Sequence, residues 1–571
     1  MIEIDKKGCR ELLMQRMILA VVTSVMLQLS LVCCLVLFTN LSTDYSRWFE
    51  DTWTTVMSPR MWAYFIVLAM VTFLQGFLCS KNYLHPPPYY KSRFIKLCKT
   101  LGIQNLFLRA LYIVIGGILV WLHLSLRKGR YSSSNAHCSI HGTCLMEEYY
   151  FLLFSGFWSG LYLSIKTGNS TGKYFRFPII AQSKFFQLRQ RIYTILPTLM
   201  ISSMWSTLYY MTIYYFMGSY CREAFPMISM QIGVKPLDTV SGLLNLSLIL
   251  QLWLLQFIFA LIISNTYTLF EIYLTEWAPF KFGLSGAYTP ESSEMTLIDV
   301  LSMDKIPIMQ HLGYLDLITL AQKEKNRRST LFTLSQPGGH PYNWNCVVQK
   351  CTSLLKKFSS DLTTISIKSQ EQPFCYSTLT ARVPPVQQSK YVYHMRKLVP
   401  DVTPVSIAEI DAKEEAVYSG SFIQHFIKQK KNAFVAYLFS KPLINYIFGE
   451  QDDNKIRHAL YNGQLVIWAA EAISSLTVFS LSEDSYGIVQ KDVTTIINTL
   501  LSVKQALDKL PKSPVLARKM RVDEKLILGS LRSAIKRSLY RIVTNFELYI
   551  DDLSLEVSTI EQLQGFLNYK E

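Results

Sequence analysis

Residues Met17 to Phe38 read MILAVVTSVMLQLSLVCCLVLF, 22 positions without a charge. An apolar run of about 17–25 residues crosses a ~30 Å hydrocarbon core as a helix. Five more runs follow, Met61–Cys79, Leu106–Leu124, Tyr149–Ile165, Ile192–Met217 and Leu243–Phe270, separated by polar loops. In lipid the backbone must satisfy its own N–H and C=O groups, and runs this continuous do so as helices, not as alternating barrel strands. The sequence predicts an all-α chain. A basic N-terminus (residues 1–16) leads into a six-helix polytopic transmembrane domain (17–270), followed by an all-α cytosolic domain of stacked helices.

The 571 residues exceed what one domain usually holds. The formal charge of +16 is unevenly placed. Residues 1–270 carry 23 Lys and Arg against 10 Asp and Glu, whereas residues 271–571 carry 34 against 31. The basic excess therefore belongs to the membrane half, and direct nucleic-acid binding by the tail is not expected. Lys6, Lys7, Arg10 and Arg16 precede the first run, which is too long for a cleaved signal peptide and reads as a retained signal anchor.

Lys and Arg in short loops mark the cytosolic side. The loop Ser80–Asn105 has Lys81, Lys91, Arg93, Lys96 and Lys99, and the loop Lys166–Arg191 has six basic residues; neither has an acid. With the N-terminal cluster that side holds 15 basic residues against seven on the other, Arg127, Lys128 and Arg130 among them. Six crossings then leave both termini cytosolic. Trp48, Trp53, Trp62, Tyr214 and Tyr215 fall near luminal span ends, where aromatic belts form.

Of Asp, Glu, Lys, Arg and His, only Arg109 and His123, both near span ends, occur within the six runs. Transporters and pumps usually place charges in the bundle interior, so the pattern argues against transport. Gln251, Gln256 and Asn265 read as interhelical glue, and Gly156 with Gly160 forms a small-xxx-small face. Gly168–Tyr174 is one residue too short for a phosphate loop and ends in Tyr where Ser or Thr would bind magnesium. No H-E-x-x-H, G-x-S-x-G or dinucleotide-binding glycine pattern is present, and no cofactor is expected.

His137, Cys138, His141 and Cys144 cluster in the second luminal loop. They allow a Cys138–Cys144 disulfide or, at a non-standard spacing, zinc; Cys221 leaves an odd thiol. Cys351 sits on an apolar stripe and reads as core. Asn40 and Asn169 begin glycosylation triplets, yet this topology puts Asn40 against the membrane and Asn169 in the cytosol, so neither should carry sugar.

In the tail, Ser302 and Asp304 offer a helix start before Ile308, Met309, Leu312 and Leu315. Gly338-Gly339-His340-Pro341 breaks the chain, and Trp344, Val347, Val348, Cys351, Leu354, Leu355 and Phe358 then form one helical stripe. Residues 271–358 are thus the first helical part. Residues 359–416, rich in Ser, Thr, Gln and Pro, read as a linker or partner-binding segment, and residues 417–571 as the second helical part. Leu465–Phe479, Val493–Leu510, Leu526–Ile550 and Leu553–Leu567 carry its stripes, with Lys525, Arg532, Lys536, Arg537 and Arg541 giving the third a solvated basic face. Phe422, Phe426, Phe434 and Leu438, with Lys430 and Lys431 beside them, make a candidate membrane-surface helix, alternatively a segment packed into the domain or a partner's groove.

The stretch Leu331-Phe-Thr-Leu-Ser-Gln-Pro-Gly-Gly-His-Pro-Tyr-Asn-Trp344 resembles the hallmark of a transmembrane nucleoporin family, that of nuclear division cycle protein one. Leu443–Glu450, Gln464–Glu471 and Gln564–Glu571 are similar to further family segments, and the resemblance spans nearly the whole chain. It implies a non-enzymatic pore-membrane protein of the nuclear envelope that anchors the nuclear pore scaffold and takes part in pore assembly. The implied partners are the lipid bilayer, an Aladin-type β-propeller, scaffold nucleoporins with membrane-binding helices and other pore-membrane proteins. Gln336, Pro337, Gly338, Gly339, His340, Pro341 and Trp344 form the family-motif turn and helix, structural first and contact-forming second. The competing expectation is a membrane enzyme acting on lipid through His123, His137 or His340.

Overall fold

The computed structural model describes residues 7–39, 45–84, 89–126, 135–138, 142–145, 147–169, 182–224, 239–282, 295–334, 339–370, 441–449, 452–510, 522–550 and 552–567, with Phe177 and Leu237. Helix α1 (Lys7–Thr39) is followed by α2 (Tyr45–Val56), α3 (Pro59–Leu84), α4 (Arg93–Thr100) and α5 (Ile103–Leu126). A two-stranded antiparallel hairpin, β1 (Asn135–Cys138) and β2 (Gly142–Leu145), precedes α6 (Glu147–Asn169), α7 (Lys184–Ala224), the short α8 (Val240–Leu243) and α9 (Leu246–Leu274). The hairpin sets Cys138 opposite Gly142 and Cys144 opposite Ala136; the two thiols lie outside the described side chains.

The six apolar runs fall largely inside α1, α3, α5, α6, α7 and α9, but these helices differ in span character. Four described helical stretches are long and apolar enough to cross a membrane: Gly8–Cys34, Asn105–Ser125, Leu246–Leu274 and Gly463–Glu483. Trp48–Val56 and Pro59–Gly76, bent by 54°, would make a fifth if taken as one span. α6 and α7 are not among them, because their Tyr, Trp, Ser and Gly residues dilute the aliphatic content. Gly463–Glu483 is a different case. Of its apolar stretch 72% is buried within the protein, against 22%, 44% and 33% for the other three, so its apolar surface faces tail helices.

Helix length shapes the molecule. At 1.5 Å per residue, the 33 residues of α1 and the 29 of α9 extend to about 50 and 44 Å, well beyond a ~30 Å hydrocarbon core. The excess joins the tail. Cys9 and Leu13 of α1 and Phe270 and Leu274 of α9 belong to the same buried cluster as the tail helices.

Within the bundle, α5 and α6 meet at glycines. A Cβ on Gly116 would stand 2.2 Å from the Gly156 carbonyl oxygen, and one on Gly160 the same distance from the Tyr112 carbonyl oxygen. The small-xxx-small face is therefore covered inside the chain. The main polar tie joins α1, α3 and α9. Gln28 donates from Nε2 to Thr266 (3.1 Å) and accepts at Oε1 from Thr72 (2.7 Å), while Ser24 meets Thr266 at 3.0 Å and Gln75 donates to the Ile263 carbonyl (3.1 Å). Gln256, expected as glue, accepts from Thr207 at 3.4 Å.

The tail starts with α10 (Leu297–Leu301), whose Thr296 and Asp299 form a reciprocal capping box. The expected start at Ser302 and Asp304 is displaced. Ser302 ends α10, and α11 (Pro307–Lys323) opens on Pro307, whose fixed φ and missing N–H suit a first turn. α12 (Lys325–Ser329) and a 3-10 turn (Thr330–Phe332) lead to α13 (Tyr342–Gln370). α13 continues past Phe358 into the stretch read as linker, because Leu362 and Ile365 prolong its buried stripe; residues 371–416 lie outside the described residues. Then come α14 (Pro442–Phe448), α15 (Asp452–Tyr461), α16 (Gly463–Glu483), α17 (Gln490–Lys509), α18 (Val522–Asn545) and α19 (Val557–Leu567). α11 packs on α16, α16 on α18 and α13 on α17, so both helical parts of the tail share one core. The basic side of α18 serves it partly from within: Arg537 pairs with Glu471, and Arg541 donates to Ser475.

Two glycines separate packing from propensity. Gly116→Val should lower the melting temperature of the detergent-purified protein, since the methyls have only the α6 backbone to enter. Gly529→Ala, with nothing within 4 Å of the added Cβ, should raise stability by about 1 kcal/mol in the interior of α18. Scanning calorimetry of both variants checks the opposite signs.

Candidate functional site

The features that set this molecule's geometry lie where the tail meets the bundle. The last turns of α9 carry Glu271, which pairs with Arg191 of α7 (3.1 Å); Glu276, just beyond, pairs with Lys184 (2.9 Å). Arg16 of α1, almost fully buried, donates to the Leu274 carbonyl (3.2 Å), a C-terminal oxygen without an intrahelical partner position. Cations at a helix C-terminus also favour its dipole.

The chain then turns across the tail and is caught by Asp316. This carboxylate, on α11, is fully buried. Oδ1 accepts from the Trp277 indole (3.2 Å) and from Arg327 Nη1 (3.0 Å); Oδ2 accepts from the Phe280 backbone N–H (3.0 Å) and from Arg327 Nη2 (2.7 Å). Arg327 also donates to the Phe280 carbonyl (2.7 Å) and to Glu324 (2.9 Å). A buried charge is tolerated only when paired and hydrogen-bonded, and here both conditions hold. Its neighbour Arg328 clamps α12 to the end of α16. It makes a bidentate contact to Glu483 (2.7 and 2.8 Å), donates to the Ala321 carbonyl (3.0 Å) and stands over the Phe479 ring at 3.9 Å. The Arg328 hydrogen bonds hold the Glu483 carboxyl below its usual value.

Loops from the bundle reach the same domain. Phe177, from the loop between α6 and α7, stacks on His311 (5.7 Å, 3°) and meets Trp468 edge-on (5.0 Å, 80°). His311 is buried and bonds through Nδ1 to the Pro307 carbonyl (2.7 Å), and burial pushes its imidazole down to about 4. From the loop after α3, Arg93 covers the Tyr446 ring at 3.6 Å, Phe94 meets Phe448 at 4.8 Å and Tyr89 meets His458 at 5.4 Å. The start of α1, both basic loops and the tail therefore share one side of the bundle. That is the grouping the loop charges predict.

α4 and α14, joined by the Arg93 and Phe94 contacts, contain no buried residue. Phe94, Ile95 and Leu97 of α4 and Leu443, Tyr446 and Ile447 of α14 are exposed, with Lys91, Lys99 and Lys441 exposed beside them. The candidate membrane-surface residues Phe422, Phe426, Lys430, Lys431, Phe434 and Leu438 lie outside the described residues.

Gln336, Pro337 and Gly338 of the motif turn also lie outside the described residues. Gly339, His340 and Pro341 lead into α13: the His340 carbonyl accepts from the Tyr342 N–H (2.9 Å), and the Pro341 carbonyl from Asn345 (3.0 Å). Trp344 is fully buried, packs on Phe332 (5.8 Å between rings) and donates its indole N–H to Asp492 at the start of α17 (2.9 Å). The motif thus joins the two helical parts of the tail. His340 is exposed on that turn, whereas His123 is buried in α5 beside Tyr64 (5.7 Å). Cys351 is a buried core thiol, pushed up to about 12 by burial. The indentation between α17 and α18, lined by Lys504, Asp508 and Arg532, opens to solvent and encloses no cavity that could hold a small molecule.

Sequence reasoning passed over Asp316, Arg327 and Phe177. Asp316 carried a signal: one acid between Leu315 and Leu317 in an otherwise apolar run demands a buried partner. The partner's identity needed the fold.

A helical membrane bundle bearing a helical domain fused to one end defines a polytopic membrane protein with an attached platform. The model of the nucleoporin protein Ndc1-Nup family matches residues 11–564, and the chain belongs to that family. It is 26% identical over 626 residues to nucleoporin NDC1 of Homo sapiens, with 92% of each chain covered. Identity to nucleoporin Ndc1 of Drosophila melanogaster is 26% and to nucleoporin NDC1 of Danio rerio 24%, with 99% of each chain covered in both cases.

Asp316→Ala leaves Arg327 and two N–H groups facing a cavity and should destabilise the protein by about 3 kcal/mol, the lower end for a broken buried pair because Arg327 is a quarter exposed. Urea denaturation monitored by Trp fluorescence measures it. His311 gives a pH test. Its folded value is depressed from 6.5 to about 4, so the unfolded chain takes the proton first. Stability is full above about pH 6.5 and should fall by roughly 3 kcal/mol as pH drops to about 4, at 1.36 kcal/mol per unit. Melting curves across that window should flatten in His311→Phe relative to the parent.

Proposed function

We propose that this nuclear pore membrane nucleoporin crosses the nuclear envelope six times, with both termini on the cytosolic, pore-facing side. On this reading it anchors the pore scaffold, supports pore assembly and recruits soluble nucleoporins through the helical tail. The recruited partners are an Aladin-type β-propeller and scaffold nucleoporins with membrane-binding helices, alongside other pore-membrane proteins. Its role is structural, without catalysis. The observation that carries this reading is the junction at Asp316, Arg16 and Phe177, which fixes the tail to the bundle ends. A partner gripped by such a tail is held at the membrane with little freedom to swing. The exposed pair α4 and α14 lies on the anionic leaflet on the tail side.

The test is affinity capture of tagged full-length protein from nuclear-envelope extract. The parent should recover scaffold nucleoporins and give a punctate nuclear rim. Asp316→Ala should remain membrane-integrated but lose most of the captured nucleoporins. Equal recovery from parent and variant would sink the fixed-platform mechanism, and recovery of no pore component by the parent would sink the recruitment reading altogether.

A further inference from the structure

Helix α2 stands apart from the rest of the bundle. It lies between α1 and α3 at the end of the bundle remote from the tail: the tail core holds the start of α1, whereas α2 follows its other end. Ten of its 12 residues divide into three sectors. Thr52 and Thr55 are buried, return their hydroxyl hydrogens to the Trp48 and Asp51 carbonyls (both 2.7 Å), and lie on the side of Val56, which packs on the bundle core around Val36 and Met61. Trp48, on the same side, donates its indole N–H to the Leu37 carbonyl at the end of α1 (2.8 Å). Glu50, Asp51 and Thr54 form an exposed polar sector. Tyr45, Phe49 and Trp53, at i, i+4 and i+8, form an exposed aromatic row, with Phe49 and Trp53 stacked at 6.3 Å.

We propose that α2 is an in-plane interfacial helix whose Tyr45–Phe49–Trp53 row inserts between lipid headgroups of the leaflet opposite the tail. Three observations select lipid as the occupant. The helix is bounded by membrane helices on both sides, with only Met57 and Ser58 between it and α3. Its axis is turned 54° from α3, and α3 itself leaves the apolar side chains of Trp62, Ile66, Met70 and Phe73 exposed. Tyr45 and Trp53, whose rings carry one polar group, partition to the membrane–water boundary with the apolar Phe49 between them, while the carboxylates of Glu50 and Asp51, on the sector away from the bundle, need water. In sequence Arg47 and Arg60 offset Glu50 and Asp51, so the row carries no net charge to draw anionic headgroups and suits a zwitterionic surface, unlike the basic α4 on the tail side. A broken span, the other geometry compatible with a bent helix pair, would carry both carboxylates into the hydrocarbon.

The test places the photocrosslinker p-benzoylphenylalanine singly at Phe49, Trp53 or Asp51 of the full chain. Each variant is reconstituted in phosphatidylcholine vesicles, irradiated and examined by mass spectrometry. Ile66→p-benzoylphenylalanine, on the exposed face of α3, sets the yield for a lipid-facing site. Lipid adducts at positions 49 and 53 comparable to that standard, and several-fold above position 51, support the proposal; replacing half the lipid by phosphatidylserine should not raise them. Adducts at 51 equal to those at 49 and 53 would establish a broken span instead. Absence of lipid adducts at 49 and 53 while Ile66 labels, or protein adducts at those positions in native membranes, would overturn the assignment.

Discussion

The buried carboxylate of Asp316 is the constraint on which the arrangement of the tail depends. A fully desolvated charge is costly unless each of its oxygens is bonded. Here the oxygens are bonded by groups from two parts of the chain, the segment that leaves α9 and the Arg327 guanidinium. The path from the membrane into the tail is therefore fixed by hydrogen-bond geometry, not by apolar contact alone. Apolar packing tolerates sliding; a carboxylate with four directed donors does not.

Helix length supplies the other half of the junction. Because α1 and α9 outrun the hydrocarbon thickness, their ends are already tail structure, and the buried cluster runs without a break from Leu13 and Leu274 into α11 and α16. Phe177 adds a third attachment, wedged between His311 and Trp468. Bundle and tail thus form one packed body at this end. The opposite end carries different chemistry, with an aromatic row and acids on α2 where the tail side has an apolar pair, α4 and α14, flanked by Lys91, Lys99 and Lys441.

Much of this was legible in the chain itself. The runs around Leu19, Leu68, Ile115 and Leu252 announce membrane helices because no soluble fold needs so many uncharged positions in a row. The stripe from Trp344 to Phe358 announces a half-buried helix. Gly463–Glu483 is as apolar as a span, yet the stripe of Leu465–Phe479 assigned it to the tail, where Ala469, Ala470, Ile473 and Leu476 are buried among α11, α13 and α18. The linker boundary failed: Leu362 and Ile365 are too sparse among Ser and Thr to register as a stripe until the rest of the core is present.

The sequence by itself determined the class of the molecule, its division into a charged-loop membrane half and a helical tail, and the grouping of N-terminus, basic loops and tail on one side. These follow from composition and period, which act locally along the chain. Tertiary structure alone decided that Asp316 answers Arg327, that Arg328 answers Glu483, that Gly116 faces Gly156, and that a phenylalanine in a membrane loop completes the core of the tail. Each joins residues distant in sequence or on separate helices, and no local pattern encodes which buried group will stand within 3 Å of another.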